Sequence, residues 1–162
     1  MDSTQGAGVT DADLFEMRWA RAETDLMTPL MRLYGGVIEA AVLRDRLRAL
    51  LARKWAERPA DLRRLDLARD LDPSWFLSQK MAGYVFYVDR FAGSMAGVGA
   101  HIPYLTDLGI TYAHFMPCLK PRPGDSDGGY AVMDYGQIDP RLGTMDDFRD
   151  VTAQMRAAGI SP

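Results

Sequence analysis

The chain has 162 residues, the length of one ordinary domain, with 48% hydrophobic and 25% charged side chains, as soluble globular proteins have. Its net charge of -3 removes any electrostatic reason to expect nucleic acid or an anionic membrane as partner. A single cysteine, Cys118, excludes an intrachain disulfide and a cysteine-based metal site.

The first residues, Met1 to Thr10, are small and polar. They carry neither the basic region nor the apolar run of a signal peptide, and no later stretch approaches the ~20 apolar residues of a spanning helix. Residues 1–10 are expected to be disordered, and the protein to be soluble and cytoplasmic. Thr10, with Asp13 three residues on, reads as a capping box with Asp in place of Glu. Phe15, Trp19, Ala22, Leu26, Leu30 and Leu33 then recur at helical spacing. Pro29 should kink or split that helix, and Gly35-Gly36 should end it.

A second helical pattern runs from Val37 to about Glu57, with Leu43, Leu47, Leu50, Leu51 and Trp55 facing one way. Its opposite face carries Arg44, Arg46, Arg48, Arg53 and Lys54. A nucleic-acid patch is one reading of those cations. Interleaved Asp45, with Glu57 and Asp61 following, favours an ordinary solvated face. Pro59 starts a third helix, Ala60 to about Leu71, which ends before Pro73. Ser74-Trp75-Phe76 follows, and the organisation of the chain changes between Leu77 and Met81.

From Gly83 to Asp89 the run of β-branched and aromatic residues is nearly continuous, the pattern of a strand buried on both faces in a parallel sheet. A helical pattern from about Met95 to Leu108, ended by Gly109, separates it from a second strand, Ile110 to Met116, stopped by Pro117. Strand, helix and strand with short joints make the βα unit of doubly wound sheets and barrels. A Gly- and Pro-rich loop, Pro117 to Asp134, leaves the carboxyl end of the second strand, where such folds bind ligands. Thr144 with Asp147 predicts the start of a last helix, with Met145, Phe148, Val151, Met155 and Ala158 on one face. Gly159 ends it, and Ile160-Ser161-Pro162 reads as the opening of a third strand.

These residues carry a resemblance. Tyr87-Val88-Asp89-Arg90-Phe91-Ala92-Gly93, Ile102-Pro103-Tyr104-Leu105, Leu108-Gly109-Ile110-Thr111-Tyr112 and Met116-Pro117 look like the opening of an amylosucrase catalytic barrel. Ser126-Asp127-Gly128-Gly129-Tyr130-Ala131-Val132, Asp134-Tyr135 and Asp139-Pro140-Arg141-Leu142-Gly143-Thr144 extend the likeness. The chain thus resembles glycoside hydrolase family 13, the α-amylase superfamily. The helices ahead of the barrel, with Arg58-Pro59-Ala60-Asp61-Leu62-Arg63 and Asp72-Pro73-Ser74-Trp75-Phe76, are similar to the all-helical domain that amylosucrases carry.

The resemblance implies an all-α N-terminal helical domain at residues 11–80, then the first βαβα portion of a (β/α)8 TIM barrel at residues 81–162. Such a barrel alone needs roughly 250 residues, so the chain reads as a fragment cut before the third strand. The activity implied is α-glucosyl transfer from sucrose to an α-glucan or to water, through a covalent intermediate and without metal or organic cofactor. Alternatives are a sucrose hydrolase or trehalose synthase-type relative, and a non-catalytic carbohydrate-binding or interaction fragment.

In the family the reacting carboxylates follow the fourth and fifth strands, so no residue here matches the nucleophile or the acid. Tyr130 matches the tyrosine that stacks under the glucosyl ring, and Asp127 matches the aspartate that binds the outer hydroxyls of a terminal glucose. Gly128 and Gly129 would let both side chains point into one pocket. His114 reads as a hydrogen-bonded core histidine, and with His101 it makes only weak metal evidence. Asp89 and Arg90 read as packing and ion pairing at the barrel mouth, Asp134 and Tyr135 as loop anchors, and Asp139 to Thr144 as structural. Cys118 has no partner histidine in reach and is not expected to be a nucleophile.

Overall fold

A computed structural model describes residues 8–162. The expected disorder of residues 1–10 therefore lies largely outside the described residues. The chain divides into two compact units, one ending at Pro73 and the other spanning Ser74–Pro162.

The first unit is three helices, α1 (Asp11–Tyr34), α2 (Ala40–Glu57) and α3 (Ala60–Leu71). Thr10 and Asp13 form the expected capping box, Asp13 N–H donating to Thr10 Oγ1 and Thr10 N–H to Asp13 Oδ2. Pro29 does not split α1, which runs on to Tyr34. The second helix starts three residues later than expected, because Val37 and Ile38 turn their N–H groups back onto Tyr34 O. Trp19 and Trp55 are the buried residues of this unit. The Trp55 indole donates to Asp11 O at 2.7 Å, which ties the end of α2 to the start of α1. Arg18 lies 4.9 Å over the Trp55 ring and pairs with Asp70 of α3, while Arg58 grips Asp66 through two nitrogens. The apolar stripe is only partly covered, for Leu33, Leu50 and Leu51 are exposed. The cations of α2 face carboxylates, Arg44 on Glu23, Arg48 on Glu16 and Lys54 on Glu57.

The second unit begins with a 3-10 turn, Trp75–Leu77. It belongs here because Trp75 and Phe76 share an apolar hollow with Met81, Gly83 and Tyr112. Strands β1 (Gly83–Phe86) and β2 (Tyr112–Phe115) pair in parallel, with Tyr84 opposite Ala113 and Phe86 opposite Phe115. Ser161 adds a parallel bridge to Tyr112, the expected opening of a third strand. Between the strands run α4 (Val88–Ala92), α5 (Met95–Ala100) and α6 (Ile102–Asp107); after them come β3 (Leu119–Pro121), β4 (Val132–Ile138) and α7 (Met145–Ala157). An N-terminal helical stretch followed by alternating βα units is a partial (β/α)8 barrel.

One face of the sheet makes the core. Phe86, Ala113 and Ile160 pack with Met95, Val98 and Leu105 of the crossover and with Val151 and Met155 of α7. Phe86 centres an aromatic cluster, its ring 4.7 Å from Phe91 and 5.0 Å from Phe115. Gly99 lets α5 and α7 approach closely, since a Cβ there would sit 3.6 Å from Val151 Cγ2 and 3.3 Å from Gln154 Oε1. The other face is uncovered. Val85 is 61% exposed, and Tyr112 and His114 are exposed beside it.

Four expectations change here. Strand β1 is not buried on both faces, because the helices pack on only one of them and among the described residues nothing covers the face that bears Val85. It also stops at Phe86, since Tyr87 caps the short α4. The crossover is two helices rather than one, because Pro103 cannot donate the N–H that a continuous helix needs. The loop after β2 holds an antiparallel hairpin, β3 with β4, whose register shifts weaken any strict alternation in the sequence.

Candidate functional site

The carboxyl ends of β1 and β2 stay together beyond the ladder, Met116 N–H donating to Phe86 O at 2.9 Å. Pro117 then turns the chain into the β3–β4 hairpin, and the hairpin's loop carries Ser126 to Tyr130. Ser126 O accepts from Gly129 N–H and Ala131 N–H, each at 3.0 Å, and Asp127 O accepts from Tyr130 N–H at 3.1 Å. A 3-10 turn, Asp127–Gly129, results. Asp127 has φ of 51°, Gly128 64° and Gly129 96°, three successive residues in the left-handed region. Asp tolerates that region better than most side chains, and the glycines enter it freely. A Cβ on Gly129 would stand only 3.0 Å from Pro117 Cβ, so the loop lies close against the strand end.

The turn brings Asp127 and Tyr130 together on one loop, but both are exposed, Tyr130 at 61%. Next to the turn is a cleft of about 410 Å3, lined by Tyr87, Asp89, Arg90, Ser126, Gly129 and Arg141 among others. Ser126, Gly128 and Gly129 face it; neither Asp127 nor Tyr130 lines it.

The sequence reading missed the cleft's charge arrangement. Asp139 is only 5% exposed, and its carboxylate is chelated by the Arg141 guanidinium, with Nη2 at 2.5 Å and Nε at 3.0 Å from Oδ2. Arg141 also donates its backbone N–H to Asp139 Oδ1, closing a tight turn. The hydrogen bonds from the Arg141 side chain hold the Asp139 carboxyl below its ordinary range against the opposing effect of burial, and Asp139 in turn raises Arg141, with a smaller push from Asp89. Across the cleft the Arg90 guanidinium lies 5.7 Å from the Tyr87 ring centre, a cation–π contact. The sequence signal was an Asp and an Arg two apart around Pro140, which a turn can bring face to face.

Other candidates fall away from the cleft. Asp134 accepts from Gly136 N–H and Gln137 Nε2, so it anchors the hairpin, while Tyr135 is exposed. His114 is not a core histidine. It stands on the uncovered sheet face, within 3.3 Å of the Tyr112 hydroxyl, because strand alternation places it opposite Val85 rather than among the helices. His101 Nδ1 lies 2.9 Å from Gly97 O, and its ring packs on Phe91. Cys118 is buried, and burial pushes its thiol up, away from thiolate chemistry. Among the described residues no cluster of three or more His, Cys, Asp or Glu could hold a metal, and no helix is long and apolar enough to cross a membrane.

Comparison with known proteins finds relatives of the chain. A 69-residue segment is 38% identical to the trehalose-6-phosphate hydrolase of Escherichia coli (strain K12), covering 42% of this chain and 12% of that protein. Over 68 residues the chain is 37% identical to Maltase A1 of Drosophila melanogaster, covering 42% of this chain and 11% of the relative. The matched part is thus a small share of either relative's length. Among solved structures, an α-amylase from Geobacillus thermoleovorans complexed with acarbose is similar, with 28% identity and a TM-score of 0.46 over 51% of this chain and 21% of that one. The family model described as "Alpha amylase, catalytic domain" matches residues 39–161. The chain therefore belongs to the α-amylase catalytic-domain family, a family of carbohydrate-active enzymes.

Proposed function

We propose that this chain supplies the first strands and one wall of the sugar site of an enzyme that processes small α-glucosides by a retaining mechanism. The observation that carries the reading is the Asp127–Tyr130 turn beside the carboxyl end of β2 in a chain of this family. Ligands of a (β/α)8 barrel bind at that end. Relatives named trehalose-6-phosphate hydrolase and maltase favour a hydrolase of short α-glucosides over a glucan-building transferase.

In this reading Tyr130 presents its ring to the apolar face of the glucosyl unit, and its electron-rich face favours the charge that develops as the glycosidic bond breaks. Asp127 accepts hydrogen bonds from the outer hydroxyls of a terminal glucose, which selects chain ends. Both side chains are exposed on the turn, as groups that wait for a ligand or for another barrel loop must be. The second reading, glucosyl transfer from sucrose to an α-glucan, is favoured by the three-helix unit that precedes the strands.

The test uses this chain joined to the remaining strands of a family barrel. Tyr130→Ala should lower kcat more than it weakens substrate binding, because its ring acts on a charge present only in the transition state. Asp127→Ala should raise KM for a disaccharide and relax the preference for a chain end. Wild-type kinetics in both variants would show that the turn is ordinary surface. Product analysis on sucrose separates the two readings: free hexoses mark hydrolysis, and a lengthening glucan marks transfer.

A further inference from the structure

The hairpin loop has a second side, unused by the site above. There a groove of about 330 Å3 is lined by Lys120, Arg122, Ser126, Asp139, Pro140 and Arg141, with Met133 and the loop's Pro121, Pro123 and Gly124 closing it. Three cations face one carboxylate, and that carboxylate, Asp139, is already chelated by Arg141. Lys120 Nζ donates to the neutral Gln137 Oε1 at 3.1 Å, and Arg122 Nε donates to a main-chain carbonyl, Asp125 O, at 2.6 Å. Neither of these bonds neutralises its cation. Asp125 Oδ1 accepts from Asp127 N–H, and Asp134, the cross-strand partner of Lys120, accepts from Gly136 N–H and Gln137 Nε2; neither Asp125 nor Asp134 lines the groove. Among the groove's lining residues Lys120 and Arg122 thus remain as cations beyond the Asp139–Arg141 pair, with donors to spare.

We propose that this groove binds a phosphate monoester or free phosphate, with Lys120, Arg122 and Ser126 as donors. A guanidinium meets phosphate oxygens through two nitrogens, a lysine ammonium meets them as a point charge, and a serine hydroxyl donates one further bond. A tetrahedral group with three free oxygens suits three donor groups better than a two-oxygen carboxylate does. Ser126, Asp139 and Arg141 line both this groove and the neighbouring cleft. A phosphate held here lies against that cleft and on the loop that carries Asp127 and Tyr130, so a phosphorylated sugar could reach from the groove to those two side chains. The sugar half of that statement rests on the proposed function; the phosphate half does not.

The experiment titrates the 162-residue chain at low ionic strength with inorganic phosphate, glucose 6-phosphate and maltose, following backbone amide resonances. Phosphate and glucose 6-phosphate should shift the amides of residues 120–126, and maltose should not. Tighter binding of glucose 6-phosphate identifies a sugar phosphate; equal binding identifies the phosphate group alone. Arg122 also tethers the loop, so Lys120→Gln, which leaves that tether intact, is the deciding variant. Lys120→Gln with Arg122→Gln should weaken binding about tenfold, as loss of charge-assisted hydrogen bonds predicts. Unchanged affinity in Lys120→Gln, or no shift at residues 120–126 with either phosphate, overturns the proposal. Maltose shifts confined to Asp127 and Tyr130 would then leave the sugar reading standing by itself.

Discussion

Asp139 keeps its charge because Arg141 reaches back two residues to meet it, and the consequence is measurable as a pH dependence. Its folded pKa lies below the ordinary carboxylate value of about 3.9, so ionisation favours the folded state. That contribution is fully present above pH ~4 and is lost as the pH falls through the folded pKa. Asp139→Asn should therefore lower the urea midpoint at pH 7, and the gap to wild type should narrow toward pH 3. A gap that stays constant with pH would mean the pair contributes nothing through its charge. At this scale the sequence was legible where spacing alone decides, as in the Asp127-Gly128-Gly129-Tyr130 turn. It was silent where a side chain's surroundings decide. His114 and Asp139 each stand between two apolar neighbours in the sequence, yet one is exposed and the other buried. Only the register of β2 and the turn after β4 tell them apart.

Among the elements, the helix starts at Thr10 and Thr144 were the most legible, because a capping box is a local exchange of hydrogen bonds. Thr144 and Asp147 repeat the reciprocal pattern of Thr10 and Asp13. Thr144→Ala should cost about 0.5–2 kcal/mol in a chemical melt, since the N-cap acceptor for Asp147 N–H is lost. Core depth was less legible. Leu105 is fully buried in the crossover, so Leu105→Ala should cost about 2–5 kcal/mol. Leu47, on the apolar face of α2, is half-buried, and Leu47→Ala should cost distinctly less. Equal losses at the two positions would mean that the three-helix unit is better packed than its exposed Leu50 and Leu51 indicate. The hairpin was illegible for a physical reason. Three residues of β3, one of them a proline, and a shifting register leave no period to detect.

At the scale of the whole molecule, the sheet face bearing Val85, Tyr112 and His114 is the uncovered one. A (β/α)8 barrel turns that face inward, where layers of side chains fill it. Here it meets solvent, and the pair of carboxylates that glycosyl transfer by retention requires, about 5 Å apart, is not among the residues matched to the family site. Incubation of the chain with sucrose should release neither glucose nor fructose above a blank; release of either would relocate the chemistry into these residues. The order of strand, crossover and strand was readable because each piece carries its own apolar period and its own stop. Closure of a sheet was not, since it depends on partners distant in sequence.

The bridge from Ser161 to Tyr112 has a consequence for how the chain is made. Within the parallel sheet each segment pairs with the parallel strand before it in the chain, β2 with β1 and Ser161 with β2, and Ile160 packs on a core that holds Phe86, Leu105 and Ala113. Each pairing spans one crossover, from Gly83 to Tyr112 and from Tyr112 to Ser161, and because the cost of loop closure grows only slowly with length the two steps differ little in it. The parallel sheet thus follows the order of synthesis, β1 then β2 then Ser161, and among the described residues no strand stands on the other side of β1.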